Sequence, residues 1–161
     1  MLKGLHHNAC RCRDSEETRA FYEDFLGLEL ADAFEIKETK TGRETSVLHS
    51  FYRMDDGSFL AFFEAPGSPF DFKVQHDYDL HIALEVSPED LADMFEKGKV
   101  AGIETRGIAD HGFIHSIYFR DPNGYVIELA AKTDSNAAYE KTTGENAHAA
   151  LTAWQDTKPA G

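Results

Sequence analysis

Two histidines and two glutamates occupy corresponding positions in two similar stretches of the 161-residue chain. His7 and His81 lie near the start of LHHNACRC and LHIALEV, whereas Glu64 and Glu128 lie in the later apolar segments SFLAFFEAP and YVIELAAK. A glutamate within an apolar strand needs a partner, because burying an unpaired carboxylate is costly. Two neutral imidazoles and a carboxylate form a ligand set that suits iron(II), manganese, nickel or zinc. The pattern predicts a divalent metal site, with solvated polar side chains on an open sheet as the alternative.

The two stretches that contain the histidines resemble each other beyond those residues. Residues 5–30 and 80–105 each begin as a strand and continue as a helix, with start signals at Asp14-Ser15 and at Ser87-Pro88-Glu89. Apolar residues at helical spacing follow both signals. This similarity indicates an internal repeat.

Each copy then continues into two strands joined by a turn sequence. Asp-Gly and Pro-Asn-Gly are strong hairpin signals. The strands and turns are 45–54 and 58–66 around Asp55-Asp56-Gly57, and 113–120 and 125–132 around Asp121-Pro122-Asn123-Gly124. Each copy is therefore predicted to run strand–helix–strand–strand–strand.

The repeat suggests a single domain over residues 1–133, followed by a polar extension. The extension, residues 134–161, contains a predicted helix at 145–155. Within the domain we expect module one at 1–66, a linker at 67–79 and module two at 80–133. The predicted helix gathers apolar residues on one face, and these are Ala147, Ala150, Leu151 and Trp154.

Strand alternation predicts which face carries the candidate ligands. In LHIALEV the aliphatic residues Ile82, Leu84 and Val86 alternate with the others and belong under the helix. His81 is then on the open face of its sheet, and the same alternation puts His7 on the open face of the first module. Glu128, between Ile127 and Leu129, is also predicted to face the opening. Glu64 is assigned to the same face by analogy between the modules.

Composition excludes several classes of partner. The formal charge of −13 argues against nucleic acid, because a phosphate backbone would be repelled. No apolar run approaches the roughly 20 residues of a membrane span. The N-terminus lacks the basic start and long apolar stretch of a signal peptide. We expect a cytoplasmic protein that acts on a small molecule.

Three segments resemble the vicinal oxygen chelate superfamily: LHHNACRCRDSEETRAFYEDFLGLEL, DLHIALEV and IYFRDPNGYVIELAAK. That superfamily includes glyoxalase I, bleomycin and fosfomycin resistance proteins, and type I extradiol dioxygenases. The resemblance implies an α+β fold in which two βαβββ modules form a curved mixed sheet around a metal-binding cleft. Carried over by position, the implied metal ligands are His7, His81 and Glu128.

Two residues resemble functional residues of glyoxalase I in their sequence positions. Glu64 stands seventeen residues before His81, where the resemblance implies a fourth protein ligand. Arg11 matches a position that contacts glutathione in those enzymes, although a surface or ion-paired arginine explains it equally well. A site with two histidines and two glutamates would bind nickel or zinc and shuttle a proton through a glutamate.

Tyr118 favours dioxygenase chemistry instead. It lies ten residues before Glu128, as a tyrosine does in extradiol dioxygenases. A three-residue turn pairs Asp121 with Tyr125 and puts Tyr118 opposite Glu128 on the same face. This resemblance implies iron(II) with open positions for O2 and a catecholic or hydroquinone-like substrate, with manganese, nickel or zinc as other metals. A plain core aromatic is the alternative role for Tyr118.

A ring-cleaving enzyme also needs a residue that acts as general acid or base near the metal, and His49 is the candidate. A two-residue turn would pair His49 with Glu64 on the cleft side, whereas a three-residue turn would pair Leu48 with Glu64 and send His49 into the helix layer. His111 and His115 flank the mouth by sequence and could bind substrate or lie exposed on a loop.

An extradiol-type dioxygenase is the function expected first, and a glyoxalase-type lyase or isomerase is expected second. Some relatives are metal-free drug-binding proteins, but these typically lose the ligand residues, whereas His7, His81 and Glu128 are all present. Relatives often pair modules across a homodimer, which is the assembly we expect. Because this chain holds both modules, one chain could also complete a site alone.

Overall fold

The structure is a computed structural model that describes residues 1–74, 76–142, 144 and 146–159. The chain forms two compact units. The first contains Met1–His81 and Arg120–Val126, and the second contains Ile82–Phe119 and Ile127–Gly161. None of the helices in the described residues combines the length and the apolar character that crossing a bilayer requires.

Two four-stranded sheets repeat the same strand order. In the first sheet the order is β1-β4-β3-β2, with β1 parallel to β4 and the other neighbours antiparallel. In the second sheet the order is β5-β8-β7-β6. The predicted internal repeat and the α+β fold class are confirmed. The strands are β1 (His7–Cys12), β2 (Glu29–Glu38), β3 (Glu44–Arg53), β4 (Phe59–Glu64), β5 (His81–Val86), β6 (Thr105–Asp110), β7 (Ile114–Arg120) and β8 (Val126–Lys132).

The first helix begins where its capping signal predicts. α1 spans Ser15–Arg19 and continues as a π-helical stretch over Ala20–Phe25. The Asp14 side chain accepts a 2.8 Å hydrogen bond from the backbone N–H of Glu17, which satisfies one of the unpaired donors at a helix start.

The core of the first unit lies between this helix and the sheet. Tyr22 is fully buried, with its ring centroid 4.6 Å from that of Phe62 and 5.5 Å from that of Tyr52. Cys12 lies on the same side and is buried, and burial raises the pKa of the Cys10 and Cys12 thiols. Both cysteines are free thiols that stay protonated near neutral pH.

The second helix, α2 (Pro88–Val100), is capped by Ser87, whose hydroxyl accepts from the Asp90 N–H at 3.0 Å. A Cβ at Gly98 would come within 2.5 Å of the Phe119 ring, so glycine allows the helix to approach β7 closely. The face of the second sheet that carries Phe119 is therefore the helix-covered face.

The tip of the second hairpin is part of the first unit. Tyr22 donates a 3.0 Å hydrogen bond to the Asp121 carboxylate, and the Asn123 side-chain amide donates to Asp121 and to Thr18. All four of these side chains are at most 2% exposed. At Gly124, φ is +95° and a Cβ would lie 2.4 Å from the Lys73 carbonyl oxygen, so the turn requires glycine there.

The C-terminal extension forms two helices, α3 (Asn136–Thr142) and α4 (Ala147–Thr157). The predicted helix at 145–155 corresponds to α4, although residue 145 lies outside the described residues, as does residue 75 of the predicted linker. Leu151 and Trp154 are 58% and 60% exposed. The apolar face of α4 is therefore open to solvent in the single chain.

Candidate metal centre and active site

The register between β1 and β4 determines which side chains share the face of His7. His7 pairs with Phe59 in a parallel ladder, so alternation places Phe63 on the same face. The His7 ring also meets Phe51 edge-on, at 5.8 Å between centroids. This face, which is opposite to the helix-covered one, is called the open face of the first sheet. It presents an exposed histidine beside aromatic rings.

His49 lies on the same open face. It pairs with Phe63, and the two rings stack at 3.7 Å between centroids with an interplanar angle of 13°. The Nδ1 atom of His49 is 3.0 Å from the Phe62 carbonyl oxygen. Because a carbonyl oxygen can only accept, Nδ1 carries the proton and the lone pair of the neutral ring is on Nε2. His49 is buried, with 6% exposure, and is fixed in one tautomer.

Of the two turns considered from the sequence, the structure has the three-residue turn, so His49 does not pair with Glu64. The hairpin has the three-residue turn Asp55–Gly57, closed by a bond from Met54 N–H to the Ser58 carbonyl oxygen. Leu48 therefore pairs with Glu64, as that turn requires. His49 nevertheless lies on the open face, because it is Glu64 that faces the helix.

The prediction that Glu64 shares the face of His7 is wrong. Glu64 pairs with Cys12, whose side chain is buried on the helix-covered face. The Glu64 carboxylate accepts a 2.8 Å hydrogen bond from the backbone N–H of Ser15 at the start of α1. A carboxylate favours this position, because helix N-termini have unpaired N–H groups and a positive dipole end. Glu64 thus anchors the helix and is not carried forward as a ligand.

Arg11 bends toward the loop that follows β4. Its guanidinium donates to the carbonyl oxygens of Ala65 and Ser68 at 3.4 and 3.3 Å. It lines a cavity of about 560 Å³ together with Cys12, Arg13 and residues 65–70. The structure thus assigns to Arg11 a role in holding this loop.

His81 is the first residue of β5. Its Nδ1 lies 2.8 Å from the Asp77 carbonyl oxygen, so Nδ1 is the donor and Nε2 holds the lone pair of the neutral ring. Metal-binding histidines commonly donate a hydrogen bond from their second ring nitrogen to a backbone carbonyl in this way. Glu85, further along β5, forms a 3.2 Å ion pair with Lys132 of β8.

Glu128 is a buried carboxylate on the open face of the second sheet. Its neighbours Ile127 and Leu129 are 0% and 4% exposed and point to the opposite, helix-covered face. Glu128 itself is 5% exposed and accepts a 2.5 Å hydrogen bond from the hydroxyl of Ser116 on β7. The predicted orientation of Glu128 is confirmed. Ser116 was missed from sequence, although its spacing of two residues from Tyr118 places it on the same face.

Tyr118 lies opposite Glu128. The bond from Thr133 N–H to the Phe113 carbonyl oxygen, 3.0 Å long, fixes the pairing at the open end of the β7–β8 hairpin. Counting five residues inward along each strand brings Tyr118 and Glu128 together as a cross-strand pair. The register predicted from the turn is therefore the observed one.

Two further residues contact Tyr118 in the second unit. Its hydroxyl is 3.1 Å from Nε2 of His111, and the Arg106 guanidinium lies 5.4 Å from its ring centroid. His111 thus bonds to Tyr118 while it lies exposed on a loop, and its role in binding substrate stays a prediction. His115 differs, because it pairs with Asp110 across the strand ends and its ring lies 3.5 Å from that carboxylate.

The individual donors suit a divalent metal ion. His81 has a tautomer that a metal ligand can use, and Glu128 is a buried side chain that the Ser116 hydroxyl orients. In the described part of the chain, no group of three or more His, Cys, Asp or Glu side chains is gathered for a metal ion. His7 and His81 belong to the first unit and Glu128 to the second.

Comparison with known proteins supports the same family. Residues 4–129 match the model of the Glyoxalase/Bleomycin resistance protein/Dioxygenase superfamily. No curated protein matches the sequence at a significant level.

Solved structures share the fold at low sequence identity. The fosfomycin resistance protein FosX from Listeria monocytogenes, complexed with Mn(II) and sulfate, is 24% identical with a TM-score of 0.63, covering 86% of this chain and 99% of that chain. A glyoxalase/dioxygenase from Nostoc punctiforme is 23% identical with a TM-score of 0.62, covering 82% of this chain and 92% of that one. FosX from Mesorhizobium loti is 22% identical with a TM-score of 0.58, and the match covers 86% of this chain and 99% of that chain.

The family match extends over most of the chain, from β1 into β8, and includes the strands of both repeats. The chain therefore belongs to the glyoxalase/bleomycin resistance protein/dioxygenase superfamily.

Proposed function

We propose that this protein is a metal-dependent, extradiol-type dioxygenase that cleaves the ring of a catecholic or hydroquinone-like aromatic with O2. The observation that carries the proposal is the pairing of Tyr118 with Glu128 on the open face, with the Tyr118 hydroxyl bonded to His111. A phenol held beside a ligand carboxylate can donate a hydrogen bond to a substrate oxygen.

The proposed metal ligands are His7, His81 and Glu128. These residues would hold the ion, and iron(II) would supply the redox chemistry for ring cleavage with O2. Manganese, nickel and zinc suit the same donors, and the FosX structure from Listeria monocytogenes contains Mn(II). Iron(II) is the metal we propose, because the ring cleavage consumes O2.

The protein residues have separate proposed tasks. His49 accepts a proton from a substrate hydroxyl at Nε2, since its Nδ1–H is held by the Phe62 carbonyl oxygen. Phe51 and Phe63, which flank His49 at 4.2 and 3.7 Å between ring centroids, provide apolar surface for a planar aromatic ring. Tyr118 orients the substrate oxygen through its hydroxyl.

The test begins with the metal content of protein purified without added ions, followed by anaerobic loading with iron(II). Addition of catechol and of hydroquinone should then give O2 uptake in a 1:1 ratio with ring-opened product. Tyr118→Phe should lower kcat at least tenfold, on the order of the loss for one transition-state hydrogen-bond donor, with unchanged metal content. Tyr78→Phe is the matched control, because Tyr78 is 94% exposed.

Three other outcomes would overturn the proposal. Turnover of a hemithioacetal with nickel or zinc would indicate a glyoxalase-type lyase. Stoichiometric binding of a planar drug by metal-free protein would indicate a resistance protein. Metal-loaded protein that consumes no O2 with either substrate class would exclude the dioxygenase.

We also propose that the protein is a homodimer. The exposed apolar face of α4, with Leu151 and Trp154, supports this, since such a face commonly marks an interaction surface. Light scattering should give a mass about twice the 18.0 kDa of one chain. A mass equal to one chain at micromolar concentration would contradict it.

A further inference from the structure

The loop between β6 and β7 carries His111 at its tip. The His111 N–H donates to the Ile114 carbonyl oxygen at 3.0 Å, and the Gly112 N–H donates to the Asp110 carboxylate at 2.7 Å. These bonds shape the turn but do not fix it to the rest of the unit. Short loops of this kind are mobile unless another element packs on them.

Thr133, which follows β8, and Asn136 of the C-terminal extension contact this loop. The hydroxyl of Thr133 donates to the Gly112 carbonyl oxygen at 2.8 Å, and the Thr133 N–H donates to the Phe113 carbonyl oxygen at 3.0 Å. The side-chain amide of Asn136, which is 8% exposed, reaches the same carbonyl at 3.5 Å.

An aromatic stack completes the attachment. The ring of Tyr139 in α3 lies parallel to that of Phe113, with 3.8 Å between centroids and an interplanar angle of 5°. Both rings belong to the second unit. The family model ends at residue 129, so this contact is made by a part of the chain outside the family match.

We propose that Tyr139 is a positioning residue for the active site. Its stack on Phe113 holds the β6–β7 loop in the place from which His111 bonds the Tyr118 hydroxyl. Residues 133–139 thereby act on the open face of the second sheet without touching a substrate. The effect on turnover rests on the proposed dioxygenase function, whereas the effect on Tyr118 does not.

The test uses tyrosine labelled with ¹³C at the ring ζ-carbon, whose NMR signal reports hydrogen bonding of the hydroxyl. Tyr118→Phe assigns the signal of Tyr118, and His111→Ala gives its position when the bond to His111 is lost. Tyr139→Ala should move the Tyr118 signal most of the way to the His111→Ala position. Tyr139→Phe, which keeps a ring for the stack, should leave it at the wild-type position. Lys141→Ala is the control, because Lys141 is an exposed residue of the same helix, α3.

Phe113→Leu provides a second way to remove the stack and should move the Tyr118 signal in the same direction as Tyr139→Ala. A wild-type Tyr118 signal in folded Tyr139→Ala or in folded Phe113→Leu would overturn the proposal. Loss of folding in Tyr139→Phe would also overturn it, because the role would then be structural.

The second readout is steady-state O2 uptake with iron(II) and catechol. Tyr139→Ala should lower kcat by roughly 10- to 100-fold, the range for displacement of a catalytic group by about 1 Å, with a smaller change in KM. Tyr139→Phe should restore kcat. If wild-type protein consumes no O2, the proposed function fails and the NMR comparison still decides the role of Tyr139.

Discussion

The hydroxyl of Ser116 donates a 2.5 Å hydrogen bond to the Glu128 carboxylate, and the two residues are 0% and 5% exposed. A hydroxyl donor orients a carboxylate, so this contact fixes the direction of Glu128. If Glu128 is a metal ligand, as proposed above, Ser116 is the residue that orients it.

Ser116→Ala should weaken metal binding more than it weakens the fold. Loss of a residue that orients a metal ligand typically costs about 10- to 100-fold in metal affinity. Anaerobic titration calorimetry with iron(II), or with Mn(II) as a stable substitute, should show a loss in that range.

The control for Ser116→Ala is Ser46→Ala, because Ser46 donates a 3.1 Å hydrogen bond to Glu35 on the exposed surface of the first sheet. That change should leave the metal affinity at the wild-type value. Equal affinities in both variants would show that Ser116 does not orient a ligand.

His49→Gln should lower turnover while the fold is kept. Glutamine can still donate to the Phe62 carbonyl oxygen through its amide, but it has no group that accepts a proton near neutral pH. We expect kcat with catechol to fall about 10²- to 10⁴-fold, the usual contribution of a general base.

A His49→Gln variant with the wild-type kcat would remove His49 from the proposed mechanism. His115→Gln is its comparison, since His115 lies beside Asp110 at the strand ends, and this variant should keep the wild-type kcat.

Glu64→Ala should destabilise the protein without changing metal affinity. The carboxylate accepts the Ser15 N–H at the start of α1, and losing such a cap costs about 1 kcal/mol. Urea unfolding should report that decrease in the free energy of unfolding. A fall in nickel or zinc affinity in this variant would instead favour a glyoxalase-type site with Glu64 as ligand.

Stability should fall at alkaline pH because buried tyrosines resist ionisation in the folded state. Burial, followed by the charge of Asp121, holds the pKa of Tyr22 well above its usual value, and burial raises the pKa of Tyr52 and of Tyr125 to about 12. The unfolded chain releases these protons near pH 10, so it binds fewer protons than the folded state and the free energy of unfolding decreases as pH rises.

Urea unfolding between pH 8 and pH 11 measures this decrease. Tyr22→Phe should make the free energy of unfolding fall less steeply with pH. At pH 7 this variant should lower the free energy of unfolding by about 1–3 kcal/mol, because a donor to the buried Asp121 carboxylate is lost. A free energy of unfolding that is constant from pH 9 to pH 11 would contradict the prediction.

The turn sequences and strand alternation determined much of the second sheet. Pro122-Asn123-Gly124 specifies a three-residue turn, and this turn sets Tyr118 opposite Glu128. The aliphatic neighbours Ile127 and Leu129 assign Glu128 to the open face, because apolar area is removed from water under the helix. These features follow from local chemistry, so the sequence predicts them.

Analogy between the modules failed at Glu64. The repeat suggested that Glu64 and Glu128 are equivalent, yet Glu64 is the last residue of β4, whereas Glu128 is the third residue of β8. Strands alternate faces at every residue, so an odd offset between two strand positions reverses the direction of the side chain. The pairing with Cys12 and Leu48 decides which face Glu64 occupies.

The sequence by itself determined the duplicated α+β fold, because hydrophobic period, capping and turn signals act over a few residues. Its resemblance to the superfamily implied the candidate ligands His7, His81 and Glu128. Only the tertiary structure decided that Ser116 orients Glu128, that His111 bonds Tyr118 and that the C-terminal extension stacks on Phe113. Those contacts join side chains from different strands, loops and helices, and their geometry depends on how the elements pack rather than on any local pattern.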